Sequence, residues 1–136
     1  MTYYDFEQEI RQFFQSKQRA LPLFEDFEEK LYDIFPDANK RVQKTQITYF
    51  NTHVFACVSF TRVRRKSELP NPYLVITLGL PEPLDSKRVA VQSEPYPGRW
   101  TVHIVIGDES EIDEELLQWL RQAYEFAESR NRKKKK

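Results

Sequence analysis

The sequence predicts an α+β domain with two N-terminal helices, an antiparallel sheet of four to five strands, and a long C-terminal helix packed on one face of the sheet. Apolar residues recur at helical spacing near both ends of the chain, whereas the middle alternates with a period of two. A length of 136 residues, 40% of them hydrophobic, is enough for one core. We therefore expect a single domain over residues 1–130 and a disordered basic tail over residues 131–136.

The first part of the chain predicts two short amphipathic helices. Residues 2–5 fit a capping box with Asp5 in the fourth position, and Pro22 suits the first turn of a second helix. Pro36 ends that second helix. The apolar stripes of the two helices are Phe6, Ile10, Phe13 and Phe14, and then Leu23, Phe24, Phe27, Leu31, Ile34 and Phe35.

The centre of the chain predicts the sheet. Strand-like segments cover residues 45–50, 53–63, 73–80 and 99–106, and residues 88–92 are a candidate for a further short strand. Because side chains alternate between the two faces of a strand, a set of twelve apolar even positions predicts one buried face. The odd positions are mixed, which predicts an opposite face that is partly open. The even positions are Val54, Ala56, Val58, Phe60, Leu74, Ile76, Leu78, Leu80, Trp100, Val102, Ile104 and Ile106.

A third helix is predicted over residues 112–130. The segment Ser110–Asp113 fits a second capping box, and Glu114 and Glu115 suit the positive end of a helix dipole. The inner stripe of this helix consists of Leu116, Leu117, Leu120, Ala123, Tyr124 and Ala127.

The single cysteine, Cys57, excludes an intrachain disulfide and favours a reducing compartment. The N-terminal sequence lacks the basic region and apolar run of a signal peptide. No apolar run approaches the ~20 residues that cross a bilayer. We therefore expect a cytoplasmic protein that does not associate with a membrane.

No residue pattern points to catalysis, to a metal or to a cofactor. His53 and His103 fall on the odd face, where a general base and an ordinary hydrogen-bonding role are both open. A metal pair would need further ligands, and neither His-x-x-x-His nor Cys-x-x-Cys occurs. Cys57 fits a small packed thiol better than a nucleophile. The sequence names no catalytic residue, metal ligand or cofactor, and it leans against an enzyme.

The main functional candidate is an acid-free segment, residues 40–66, which we call the basic block. The chain has 21 basic and 21 acidic residues, so its zero net charge conceals a strongly polarised distribution. If residues 45–63 form a hairpin, both ends of the block lie away from its turn at Asn51 and Thr52. Tyr49, Phe55 and Tyr73 are then nearby aromatic platforms. The basic residues are Lys40, Arg41, Lys44, Arg62, Arg64, Arg65 and Lys66.

Two interpretations of the basic block are open. Basic side chains interleaved with aromatic rings are typical of surfaces that bind nucleotides or single-stranded nucleic acid. Alternatively, the block protects a sheet edge, or it pairs with the acidic helices of the same chain. The run of lysines over residues 133–136 adds non-specific attraction for polyanions.

Several motifs together resemble a family of small bacterial domains of unknown function, some of which are catalogued as "predicted transport protein". The matching stretches lie between Val42 and Glu128: Val42-x-Lys44-x-x-Ile47, Phe55-Ala56-x-Val58, Leu78-Gly-Leu-Pro-Glu-Pro-Leu-Asp85, Gly98-Arg99-x-x-x-His103 and Ile112-Asp-Glu-Glu-Leu-x-x-x-Leu120-x-x-Ala123-Tyr124. The resemblance implies an α+β fold and no established activity. It also implies recurrent polar positions at Lys44, Arg99 and His103, which converge only if the first and last strands lie close in the sheet.

Three functional hypotheses follow. The first is a non-enzymatic module that binds an anionic ligand, a nucleotide or nucleic acid. The second is an enzyme acting on a small phosphorylated or carboxylated substrate through His103, Lys44 and Arg99. The third is an adaptor that binds a protein partner through its acidic helices. The candidate ligand-binding residues are Lys44, Arg62, Arg64, Arg65, Lys66, Tyr73, Arg99 and His103.

Overall fold

The computed structural model describes residues 6–134, with side chains through Ser129. The helices are α1 (Phe6–Phe13), α2 (Leu21–Ile34) and α3 (Glu114–Lys134). The strands are β1 (Asn39–Val42), β2 (Gln46–Phe50), β3 (Val54–Ser59), β4 (Leu74–Leu80), β5 (Val89–Tyr96) and β6 (Arg99–Ile106). The capping box predicted at residues 2–5 lies outside the described residues. The predicted basic tail overlaps the last turn of α3.

All six strands belong to one antiparallel sheet, in the order β1-β2-β3-β4-β6-β5. The prediction of an antiparallel sheet with a C-terminal helix is confirmed, but the predicted count of four to five strands is wrong. The additional strand is β1, whose sequence Asn-Lys-Arg-Val shows no apolar alternation. It forms because Lys40 pairs with Tyr49 and Val42 with Ile47 in register. The other edge strand, β5, runs to Tyr96, four residues beyond the predicted end.

The apolar alternation produces the buried face that the sequence predicts. Of the even positions, Phe60 and Trp100 are half-buried and Val54 is exposed. A register shift between β2 and β3 explains Val54, because Tyr49 faces Ala56 whereas the next residue faces Val54. The fully buried even positions are Ala56, Val58, Leu74, Ile76, Leu78, Leu80, Val102, Ile104 and Ile106.

The helices pack on this buried face, which we call the helix face. The α3 helix lies over β3 and β4. The ring of Phe55, the extra residue at the register shift, makes edge contacts with Phe35 after α2 and with Tyr124 of α3. The α1 helix is also on this side, because Phe13 at its end stacks on Phe60 with ring centroids 5.4 Å apart, and the next residue, Phe14, contacts Phe24 at 5.0 Å. No described helix covers the opposite face, the open face.

The start of α3 differs from the predicted capping box. Asp113 caps the helix, since its carboxylate accepts a hydrogen bond from the Leu116 amide at 3.0 Å. The capping box is instead formed by Asp108 and Glu111 around the preceding 3-10 turn. Ser110, predicted as the cap, donates its hydroxyl to Asp108 at 2.6 Å. Two capping patterns overlap in the sequence here. The earlier one, from Asp108 to Glu111, caps the 3-10 turn, and the α3 helix is capped by Asp113.

Candidate functional site

Two adjoining depressions lie where the α1–α2 connection meets the long loop between β3 and β4. The first, about 440 Å³, is bounded by residues 15–20 and 71–73. The second, about 520 Å³, is bounded by the β3–β4 loop and Lys17. Both have Lys17, Asn71 and Tyr73 in their walls. We call the two depressions together the basic groove.

The charges lining the basic groove are all positive. Arg19 lines the first depression, Arg62 and Lys66 line the second, and Lys17 lines both. Glu68 follows Lys66 closely in the chain but lines neither depression. A concave surface lined by cations alone concentrates positive potential and attracts anions.

An aromatic cluster that includes Phe60 and Tyr73 lies beside Lys17. The Lys17 ammonium lies 5.4 Å from the ring centroid of Phe60 and 5.8 Å from that of Tyr73. The two rings meet edge to face at 5.8 Å. The Tyr73 hydroxyl donates to the Phe60 carbonyl at 2.9 Å, which fixes the orientation of the Tyr73 ring. Phe13 of α1 stacks on Phe60 at 5.4 Å, so the cluster is anchored to the core.

The β3–β4 loop is held against the end of the sheet. Pro70 packs so closely over Gly107 that a Cβ placed on this glycine would lie 2.5 Å from the Pro70 ring. At the other side of the loop, Arg64 Nη2 donates to the Val89 carbonyl at 3.5 Å. The peptide bond between Asn71 and Pro72 is cis. The groove wall is therefore positioned by contacts to β5 and to the residue after β6.

The four groove cations differ from the cations that stabilise the fold. Within the described part of the chain, none of Lys17, Arg19, Arg62 and Lys66 forms an ion pair, whereas Lys40 pairs with Glu28 at 3.0 Å. Arg88 likewise pairs with carboxylates at the start of α3 at 2.8 and 3.0 Å. The groove cations retain their full capacity to contact an external anion.

The structure divides the predicted basic block into separate roles. Lys40 is an internal partner of α2, since its ammonium contacts Glu28 and lies 4.9 Å from the Phe6 ring. Arg41 is exposed and lies 4.7 Å from the Phe50 ring. This fits the interpretation that part of the block pairs with the acidic helices of the same chain.

Six of the eight predicted ligand-binding residues lie at this end of the sheet, at three separate positions. Arg62, Lys66 and Tyr73 line the basic groove. Arg64 donates a hydrogen bond to the Val89 carbonyl of β5, and Arg65 is exposed just before the 3-10 turn of the β3–β4 loop. Neither of these two residues lines the groove. Lys44 lies at the β1–β2 turn and lines a separate depression of about 260 Å³. The pairing of Gln46 with Ser59 places that turn at the same end of the sheet as the groove, as the hairpin predicted.

Arg99 and His103 do not join Lys44. Strands β3 and β4 lie between β2 and β6, and three strand spacings amount to about 14 Å. Arg99 is at the opposite end of the sheet, where it lies 6.0 Å from the Tyr96 ring. Lys44, Arg99 and His103 therefore do not form one anion pocket, because the first and last strands do not lie close together in the sheet.

His103 belongs to a polar row across the open face. The row runs through directly paired residues Thr48, Cys57, Thr77 and His103 on β2, β3, β4 and β6. The Thr77 hydroxyl is 2.9 Å from His103 Nδ1. Thr77 stands between Cys57 and His103, so these two do not form a nucleophile–base pair. Burial lowers the pKa of His103 and raises that of Cys57, which favours the neutral form of each.

His53 lies in the turn between β2 and β3 instead of within the predicted strand, and its carbonyl accepts a hydrogen bond from the Asn51 amide.

Among the described residues, no group of three or more His, Cys, Asp or Glu side chains is arranged to hold a metal ion. In the same part of the chain, no helix combines the length and apolar character needed to cross a membrane.

Sequence reasoning missed Lys17, Arg19 and Asn71 as site residues. Lys17 and Arg19 lie in the polar break between two helices, and no local pattern connects that break with a loop more than forty residues later. In the folded structure, the rings of Phe13 and Phe14 contact the ring of Phe60 and so join the two segments. The aromatic residues at these positions are the feature of the sequence that could have indicated this contact.

Comparison with known proteins gives a family and no activity. A family model described as "Domain of unknown function (DUF5655)" matches residues 10–127, which include both walls of the basic groove. No curated protein and no solved structure matches the chain. The match covers most of the 136 residues, and the chain therefore belongs to the DUF5655 family of domains of unknown function.

Proposed function

We propose that this domain is a non-enzymatic module that binds an anionic ligand, a nucleotide or nucleic acid, in the basic groove. The observation that carries the proposal is a concave site next to the fixed ring of Tyr73, whose lining among the residues that the structure describes includes four unpaired cations and no carboxylate. Absence of pairing alone would not be enough, because exposed Lys87 is also unpaired among the described residues. Concavity and the presence of four like charges along one continuous surface distinguish the groove.

The competing hypotheses have less support. The enzyme hypothesis required Lys44, Arg99 and His103 to meet, and the strand order separates them. The adaptor hypothesis names the acidic helices as the contact surface and predicts a large exposed apolar patch or a symmetric dimer. Among the described residues, the large exposed apolar side chains are Val54, Val91 and Tyr96, which lie on β3 and β5 and not on the helices. The single cysteine fits a reducing compartment, and we propose the cytoplasm.

The proposal is tested by thermal shift against inorganic phosphate, nucleoside monophosphates and short single-stranded oligonucleotides at about 50 mM and about 200 mM salt. A ligand at about one hundred times its Kd adds about 2.7 kcal/mol, which corresponds to about 10 °C for a domain of this size. We expect the shift to shrink at the higher salt concentration.

The matched variants are Lys66→Ala in the groove and Lys87→Ala outside it, each of which removes one exposed lysine charge. The groove variant is expected to lose much of the shift, whereas Lys87→Ala retains it. The proposal fails if no anion stabilises the wild-type protein, or if both variants respond to ligand as the wild type does.

A further inference from the structure

We propose that the ligand of the basic groove is single-stranded nucleic acid, with at least two consecutive nucleotides spanning both depressions. This inference rests on the proposed function and names its ligand class. A nucleoside monophosphate and a duplex are the alternatives that the experiment must separate from a strand.

The cations are distributed along the groove instead of converging on one point. Arg19 is in the wall of the first depression only, and Arg62 and Lys66 are in the wall of the second only. Lys17 lies at the junction. A monophosphate needs several donors around one phosphate group, whereas a strand presents one phosphate per nucleotide to successive cations. The spacing of charge along the groove therefore favours a strand.

The size of each depression agrees with one nucleotide. Volumes of about 440 and 520 Å³ fall within the about 300–1,000 Å³ of sites that hold small organic ligands. Because the depressions share a wall and are both open to solvent, a continuous chain can pass from one into the other.

The shared wall supplies a platform on which a base can stack. The Tyr73 hydroxyl bond to the Phe60 carbonyl and the edge contact between the two rings hold the Tyr73 ring in place. A fixed ring loses little conformational entropy when a base stacks on it. Lys17 is exposed and its ammonium lies over the ring, 5.8 Å from the centroid, so this flexible side chain turns aside when a base stacks there and can then contact the phosphate of that nucleotide.

Polar groups around the platform suit the edges of unpaired bases. Asn71 is exposed at the shared wall. Gln15 and Gln18 line the first depression, where the Gln18 amide donates to the Gln15 carbonyl at 3.5 Å. Each amide offers both donors and an acceptor. In a duplex the base faces and Watson–Crick edges are already occupied, so a site built from a stacking ring and amides is useful only for a single strand.

The test is fluorescence anisotropy with a labelled hexathymidylate, with unlabelled thymidine monophosphate, a dithymidylate and a short duplex as competitors. We expect the dithymidylate to compete at least about tenfold better than the monophosphate, and the duplex to compete less well than single strands of equal length. Between about 50 and about 200 mM salt, log K should fall against log salt with a slope of about −2, because the groove presents cations at three successive points and each contacted phosphate of a single strand contributes about −0.7.

The variants address stacking and charge separately. Tyr73→Leu removes the ring and is expected to weaken hexathymidylate binding by about tenfold, within the range for one lost base stack. Tyr73→Phe keeps the ring and should bind within about twofold of the wild type. A parallel protein with the four lysines of residues 133–136 changed to glutamine shows how much the tail contributes. Circular dichroism melts confirm that each variant is folded.

The outcomes separate the two proposals. If the monophosphate competes as well as the dithymidylate, the strand inference is overturned while the anion-binding function stands. If the duplex competes equally and Tyr73→Leu binds as the wild type does, the contact is general polyanion attraction and the strand inference is again overturned. If no oligonucleotide, monophosphate or inorganic phosphate binds, both proposals fall.

Discussion

Replacing Lys40 by methionine should destabilise the fold strongly without affecting the basic groove. The Lys40 ammonium lies 3.0 Å from both carboxylate oxygens of Glu28, and the Tyr49 hydroxyl donates to the same carboxylate at 2.7 Å. The Lys40 and Glu28 side chains are only 11% and 18% exposed. Lys40→Met therefore leaves a largely desolvated carboxylate with one protein donor, while the methionine retains the packing beside Phe6 and Tyr32.

Removing one partner of a buried ion pair costs about 3–5 kcal/mol. Glu28 keeps its bond from Tyr49 and some contact with water, so we expect the lower end, about 3 kcal/mol. The double variant Lys40→Met with Glu28→Gln removes the orphaned charge and keeps an acceptor for Tyr49. Its loss should be about 1 kcal/mol, so the second substitution recovers about 2 kcal/mol of the stability that Lys40→Met removes.

The assay is urea unfolding at neutral pH, followed by tryptophan fluorescence. With a urea dependence of about 2 kcal/mol per molar, Lys40→Met should lower the midpoint by about 1.5 M and the double variant by about 0.5 M. Hexathymidylate binding by folded Lys40→Met should equal that of the wild type. The reasoning is refuted if Lys40→Met shifts the midpoint by less than the double variant, or if it abolishes binding while the protein remains folded.

Three further predictions concern glycines and a histidine. Gly107→Ala should reduce oligonucleotide affinity by about tenfold although no residue that lines the groove is substituted, because the new methyl group displaces Pro70 and the loop behind it. Gly79→Ala is the matched control and should bind normally, because nothing lies within 4 Å of the added Cβ. Gly98→Ala should cost about 1–2 kcal/mol in urea unfolding, because this turn residue has a φ of 74°, and unchanged stability would contradict that conformation. His103 has a lowered pKa through burial, so the unfolded chain binds more protons, and stability should fall as the pH drops from about 7 to about 5. His103→Asn should weaken that dependence, and urea midpoints with equal slopes against pH in both proteins would contradict the assignment.

Much of the sheet could be predicted because its strands bury one face. Ile76 and Ile104 pair directly across β4 and β6, and both belong to the apolar even set. Strand β1 escaped prediction because its sequence shows no apolar alternation. Its pairing with β2 and the contact between Lys40 and Glu28 both hold it in place, and neither leaves a periodic pattern in the sequence. The position of the cap at α3 was missed because Ser110 and Asp113 are equally plausible capping residues until the chain path is known.

The candidate site was half accessible from the sequence. Arg62 and Lys66 belong to an acid-free segment that stands out by composition alone. Lys17 does not, since its role depends on a tertiary contact that brings it over the Phe60 and Tyr73 rings. Composition also overestimated how many cations of the basic block are available to a ligand, because it could not distinguish Lys40, which pairs with Glu28, from a cation that faces solvent.

The most direct test of the central claim is the affinity of Lys17→Gln for labelled hexathymidylate at about 50 mM salt, measured beside Lys87→Gln. Both substitutions remove one exposed lysine charge, but only Lys17 lies in the walls of both depressions. The account predicts a loss of about tenfold for Lys17→Gln, equivalent to about 1.4 kcal/mol, and unchanged affinity for Lys87→Gln. Equal affinities of the two variants would contradict it, because binding would then depend on net charge and not on the basic groove.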